Sequence, residues 1–251
     1  MPEPILSLGV ISAVLVSAVV QRVSGFGFGL VLAPPLVVLL GSHQGVMLAN
    51  FLSIIAPLFI MPRVWRDIDW RRFRMLALPA LLVIPIAAWF STLTPPGFLD
   101  IIVALMIIVG LICTVHIAST TRQVDGAVTV TLTGIGAGIG TAVAGVGAPA
   151  TTIYAVLSGW ATRAMVATLQ PLWLLLSAMA FLTKSVMDQG HVPDLPWQTW
   201  FFCALAILGG ILLGERIQNR VADHKVRRFV IALAFVGAAM ALGSGIMIIA
   251  S

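Results

Sequence analysis

The sequence predicts an all-α integral membrane protein: two inverted-topology repeats of about five helical segments each, with interrupted helices at glycine-proline motifs. Three observations predict it. Charged residues are too scarce to coat a soluble globule. Ten apolar runs follow one another along the chain. One glycine-proline break occurs twice, and the loops equivalent by that repetition carry opposite charge.

Of 251 residues, 60% are hydrophobic and 9% are charged, and the mean hydropathy is +1.08. Soluble domains carry roughly 25% charged residues, because a water-facing surface needs them. Lipid is therefore the expected solvent for much of the surface. The net charge of +5 does not indicate nucleic acid, since Arg and Lys sit in short loops between apolar runs and form no basic face. Cys113 and Cys203 each lie inside an apolar run, make no CxxC pair and read as buried residues. Residues 1–20 have no basic n-region and no A-x-A cleavage site, so they are expected to remain as a first helix.

A spanning helix needs about 20 mostly apolar residues. The apolar segments fall at about 5–22, 25–42, 45–62, 75–93, 98–118, 127–145, 147–160, 164–183, 198–214 and 229–250. Segment 147–160 is too short to span comfortably, and 25–42 opens on three glycines and carries Pro34-Pro35. Both are expected to be half-helices or interrupted helices. These survive at membrane depth only when shielded by protein or facing a wet cavity.

Loops rich in Arg and Lys face the cytoplasm. Residues 63–74 hold five arginines and two aspartates, and 215–228 hold five Arg/Lys against Glu215 and Asp223. Both are expected to be cytoplasmic. Loops 91–100 and 184–197 are poor in positive charge and should face outward, which places both termini outside.

Superposing Ser24-Gly25-Phe26-Gly27 on Ala144-Gly145-Val146-Gly147 brings the two halves into register. Residues 1–118 form the first repeat, 119–126 a polar connector and 127–251 the second repeat. Loop 63–74 (+3) then corresponds to 184–197 (−1), and 91–100 (−1) to 215–228 (+3). Equivalent loops on opposite sides mean inverted halves, each crossing three or five times.

Gly allows close backbone approach, and Pro is preorganised for a first helical turn. Gly145-Val146-Gly147-Ala148-Pro149 reads as a break followed by a helix start, and Gly25, Gly27 and Gly29 mark the same break in the first half. A helix N-terminus offers unpaired N–H groups and about half a positive charge. Two such ends meeting near the midplane would bind an anion without charged side chains. Gly134, Gly136, Gly138 and Gly140 form two overlapping GxxxG pairs, expected to serve helix packing.

Polar groups inside lipid are candidates for function. Gln21 and Arg22 precede the first break, and Ser24 and Thr141 flank the two breaks. Arg22 either counters an anion's charge or snorkels to the interface. Asn50 and Gln170 occupy equivalent places in the two halves and could donate N–H bonds to an oxyanion or join helices. Thr151, Thr152 and Tyr154 follow Pro149, and their hydroxyls could line the site. Arg163 reads as a surface anchor. His43, His116, His191 and His224 are scattered without metal-ligand spacing, so no metal and no cofactor is expected. Trp65, Trp70, Trp89, Trp160, Trp197 and Trp200 lie near segment ends, as an interfacial belt predicts.

These motifs resemble the TauE/SafE family of sulfite exporters over nearly the whole chain. The hallmark is a Gly-rich stretch followed by proline, once per half. The first copy reads SGFGFGLVLAPPLVVLLG, close to G-x-G-x-G-x-x-x-x-P. The second departs from the commoner GVGGG version and resembles a subgroup with GxxGPP, a downstream Tyr and R-A-T. Here these are Gly147-Ala148-Pro149, Tyr154 and Arg163-Ala164-Met165. Asp67-Ile68-Asp69-Trp70 is similar to the family's short D-W loop.

The resemblance implies a secondary transporter exporting sulfite, a sulfonate or a related organosulfur anion from a bacterial inner membrane. The expected partners are that anion and the bilayer, with a homodimer allowed and no nucleic acid. An anion channel on the same scaffold is the alternative. A membrane-embedded enzyme is less favoured, because Ser244 has no histidine in a plausible partner helix. No P-loop GxxxxGK[ST] appears, which fits transport without ATP.

Overall fold

The computed structural model describes residues 3–24, 28–117, 125–188, 193, 195–218 and 223–250. The described residues form helices α1 (Glu3–Ser24), α2 (Phe28–Leu40), α3 (Ser42–Val64), α4 (Trp70–Leu93), α5 (Pro96–Ile117), α6 (Ala127–Ala144), α7 (Ala148–Leu157), α8 (Thr162–Met187), α9 (Trp197–Gln218) and α10 (Asp223–Ala250). A 3-10 turn at Trp65–Asp67 leads into α4, whose N-terminus is capped by the Asp69 carboxylate accepting from the amides of Arg71 and Arg72. The expected connector lies outside the described residues up to residue 124.

The all-helical membrane expectation holds. Among the described residues, six helices, α1, α3, α4, α6, α8 and α9, are long and apolar enough to cross a membrane. The two doubtful segments are short. Helices α2, of 13 residues, and α7, of 10, reach only about 20 and 15 Å at 1.5 Å per residue, well short of a hydrocarbon core of about 30 Å. On α4, Leu78, Leu82, Ile86 and Trp89 are all exposed at helical spacing, an apolar stripe suited to lipid.

Polar contacts define two ends of the bundle. At one, the Glu215 carboxylate accepts from both Arg22 and Arg63, Arg163 pairs with Asp67 at 2.8 Å, and Arg72 with Asp125 at 3.0 Å. Both Arg-rich loops thus contribute to this end. At the other, His43 Nε2 lies 3.4 Å from Asp188 Oδ2, the Ser7 and Thr199 hydroxyls are 2.9 Å apart, and Gly97 packs against Gly245 and Ile249. Helices α3 and α8 therefore run antiparallel, with loop 63–74 and residue 188 at opposite ends.

The same contacts show that α6 and α7 form a hairpin. Helix α6 begins beside Asp125, and α7 returns to it, with Tyr154 Oη donating to Asp125 Oδ1 at 2.9 Å. Helices α1 and α2 form the counterpart from the other end, beginning beside Thr199 and returning to Gly41 and His43.

Helices α1 and α9 pack closely, and so do α4 and α6. Glycine makes both contacts possible. A Cβ on Gly210 or Gly214 of α9 would come within 2.6 Å of Ala18 or Arg22 on α1, and one on Gly138 of α6 within 2.7 Å of Val83 on α4. Gly134 sits against the Leu76 carbonyl, Gly136 faces Ala150 of α7, and Gly140 lies under the Val146 carbonyl. Inside lipid there is little hydrophobic drive between helices, so this close fit is what holds them together.

Candidate functional site

The second break has an explicit backbone cause. Helix α6 ends at Gly145, which adopts φ 67°, a left-handed conformation that side chains disfavour. The Gly145 amide donates to the Thr141 carbonyl at 3.1 Å and the Val146 amide to the Gly140 carbonyl at 2.9 Å, closing the helix end. Gly147 then occupies the position before α7, with Pro149 in the first turn, where a missing N–H costs nothing. No side chain caps this N-terminus, so its amides are available to a ligand.

The tips of both hairpins line one cavity. Its walls are Phe28, Gly29 and Leu30 from the start of α2, Gly145 to Ala148 from the second break, Gln21 of α1, Ser53 of α3, Thr141 of α6, and Trp173 with Ser177 of α8. The interior volume is about 30 Å³, room for a water or two. None of the lining residues is acidic or basic. Two polar atoms are buried with no hydrogen-bond partner among the described residues, the Trp173 indole Nε1 and Gln21 Oε1. Gly147 is needed beneath the indole, since a Cβ there would lie 2.7 Å from Trp173 Cζ3 and 2.6 Å from Thr141 Oγ1.

Of the residues singled out in the sequence, Gln21, Gly29, Thr141, Gly145 and Gly147 come together here. Asn50 is fully buried next to the site and donates through Nδ2 to the Thr141 carbonyl at 3.1 Å, bracing the end of α6. Gly25, Gly27 and the side chain of Ser24 lie outside the described residues.

The others are placed elsewhere. Arg22 pairs with Glu215 at 3.2 Å. Gln170 Nε2 donates to the Val166 carbonyl of its own helix at 3.1 Å, and Thr151 Oγ1 donates to the Ala148 carbonyl at 3.0 Å. Pro149 fills the gap over Gly110 of α5. Tyr154 sits at the basic end, its ring 5.8 Å from that of Trp160, with the Arg72 guanidinium 5.0 Å from the Trp160 centroid.

Sequence reasoning missed Ser53, Trp173 and Ser177. Trp173 left a signal: it is the one tryptophan of seven that lies mid-segment rather than near a segment end. Ser53 and Ser177 left none, because serine occurs throughout these helices.

An all-helical, multi-pass membrane protein with two broken hairpins meeting at a buried polar cavity belongs structurally among the membrane transporters. The chain is a member of the sulfite exporter TauE/SafE family, whose family model matches residues 10–241, nearly the whole length. Neither a curated protein nor a solved structure matches it.

Proposed function

We propose that this protein is a secondary transporter that exports a small organosulfur anion, sulfite or a sulfonate, across a bacterial inner membrane by alternating access. The observation that carries this reading is the cavity between the starts of α2 and α7. Its donors are neutral: the uncapped amides of α7 and the Trp173 indole. Helix N-termini and neutral donors stabilise a dehydrated anion without trapping it as a fixed ion pair would.

The reciprocal packing supports two inverted repeats. Helix α1 lies on α9 as α6 lies on α4, and α2 meets α10 as α7 meets α5. If each hairpin returns to the side from which it entered, three crossings remain per half. That odd number inverts the second half relative to the first. The basic end is then cytoplasmic. An anion leaving a negative-inside cell gains about 2.3 kcal/mol per charge per 100 mV, enough to drive export without ATP. The small volume of the cavity, about 30 Å³, favours a carrier over an open anion channel.

Flux of sulfite, sulfonates and sulfate in proteoliposomes at a set membrane potential tests the proposal. Saturable, potential-sensitive movement of sulfite or a sulfonate is expected. Failure of all of them to move would overturn it.

A further inference from the structure

We propose that Lys184 is a second anion station, a buried ammonium that receives the substrate between the central cavity and the end of the bundle where α3 begins and α8 ends. The proposal rests on the transport reading above.

Lys184 is fully buried, and its Nζ has no hydrogen-bond partner among the described residues. None of the ion pairs among them includes it. An ammonium removed from water without a counterion is costly, so Lys184 carries its charge when an anion sits beside it. Its position suggests what. Ser177 lines the cavity, and Lys184 follows it by seven residues on α8. Seven residues make nearly two turns, so the ammonium lies on the same helix face about 10 Å farther along.

The facing helix brings a matching donor set to this end. Helix α3 starts at Ser42, its N-terminus has no side-chain cap, and the buried Ser42 Oγ has no hydrogen-bond partner among the described residues. Among the described residues, His43 lies within reach of the charges of both Lys184 and Asp188, and the Asp188 carboxylate is held 3.4 Å from His43 Nε2 with its side chain 43% exposed. That acid is thus turned toward the imidazole and the surface. An anion passing Ser177 would meet a positive charge, a free hydroxyl and a helix N-terminus together.

The test is sulfite flux in proteoliposomes with wild type, K184M and K184R, together with thermal unfolding of each. Methionine keeps the length and removes the charge. We expect K184M to raise the KM for sulfite about tenfold or more at an unchanged unfolding temperature, and K184R to restore it to within about threefold. Equal KM for wild type and K184M overturns the station and leaves the transport reading standing. No flux by wild type overturns both.

Should K184M fail to fold, wild type supplies the second arm. Trinitrobenzenesulfonate is an amine-reactive sulfonate, and the chain has only two lysines, Lys184 and Lys225. At a pH high enough to free the amine for reaction, mass spectrometry should find Lys184 modified from the side carrying residue 188, with the reaction slowed about tenfold or more by methanesulfonate. An unmodified Lys184, or one modified at the same rate with competitor, overturns the proposal.

Discussion

Gly29 rests directly on the carbonyl oxygen of Gly145, so the two broken hairpins touch backbone to backbone at the wall of the cavity. No side chain lies between them. A contact of this kind admits only glycine at position 29, and it couples the start of α2 to the end of α6.

Gly29→Ala should therefore cost more than a typical glycine substitution. Its Cβ would strike the Gly145 oxygen, which cannot swing away as a side chain would. A loss of about 1–3 kcal/mol is expected, with flux impaired. Gly209→Ala is the control, because nothing lies within 4 Å of its Cβ position. It should be neutral or slightly stabilising. Thermal unfolding in detergent compares the two, and equal effects would contradict the backbone contact.

Trp173→Phe removes the indole N–H together with the part of the ring that covers Gly147. If that N–H binds the anion, the loss of one hydrogen bond to a charged group, about 1.5–3 kcal/mol, should raise the KM for sulfite roughly tenfold to a hundredfold. Fold stability should fall only by the lost ring packing, about 1–3 kcal/mol, because the donor has no partner to lose among the described residues. Flux measurements over a range of sulfite concentrations decide it.

Tyr154→Phe removes the hydroxyl that donates to Asp125 at 2.9 Å, and Arg72→Ala removes both the ion pair to Asp125 and the cation over Trp160. The first should cost about 0.5–1.5 kcal/mol, and the second more. Since both act through Asp125, the double variant should lose less than the sum. Strict additivity in unfolding measurements would show the groups to be independent.

Glu215→Gln removes the acceptor shared by Arg22 of α1 and Arg63 of α3. The carboxylate is partly exposed, so the loss of stability should stay within about 1 kcal/mol and shrink at high salt. A large, salt-insensitive loss would assign Glu215 a deeper role than bracing this end.

Asp67→Cys and Asp188→Cys test the inversion, because loop 63–74 and residue 188 lie at opposite ends of the α3–α8 pair. A membrane-impermeant thiol reagent should label the two variants from opposite faces of oriented vesicles. Labelling of both from one face would contradict the topology.

Much of this architecture was legible in the chain because its determinants are local. Hydropathy over about 20 residues reports a span, and the Arg-rich loops mark one end. A glycine needed for φ 67° followed by proline marks a helix break wherever it falls. On those grounds alone the short helices α2 and α7, the break at Gly145 and the place of Gly29 and Gly147 at the two breaks could be read.

Which polar groups share the cavity was decided only by tertiary packing. Gln21, Ser53, Thr141 and Trp173 lie on four helices, and whether each faces the cavity depends on how its helix is rotated in the bundle. That rotation is set by contacts between distant residues, such as Gly210 against Ala18 and Gly138 against Val83. In the same way, Arg22 is drawn to Glu215 and Tyr154 to Asp125 by partners that become neighbours only when the helices pack.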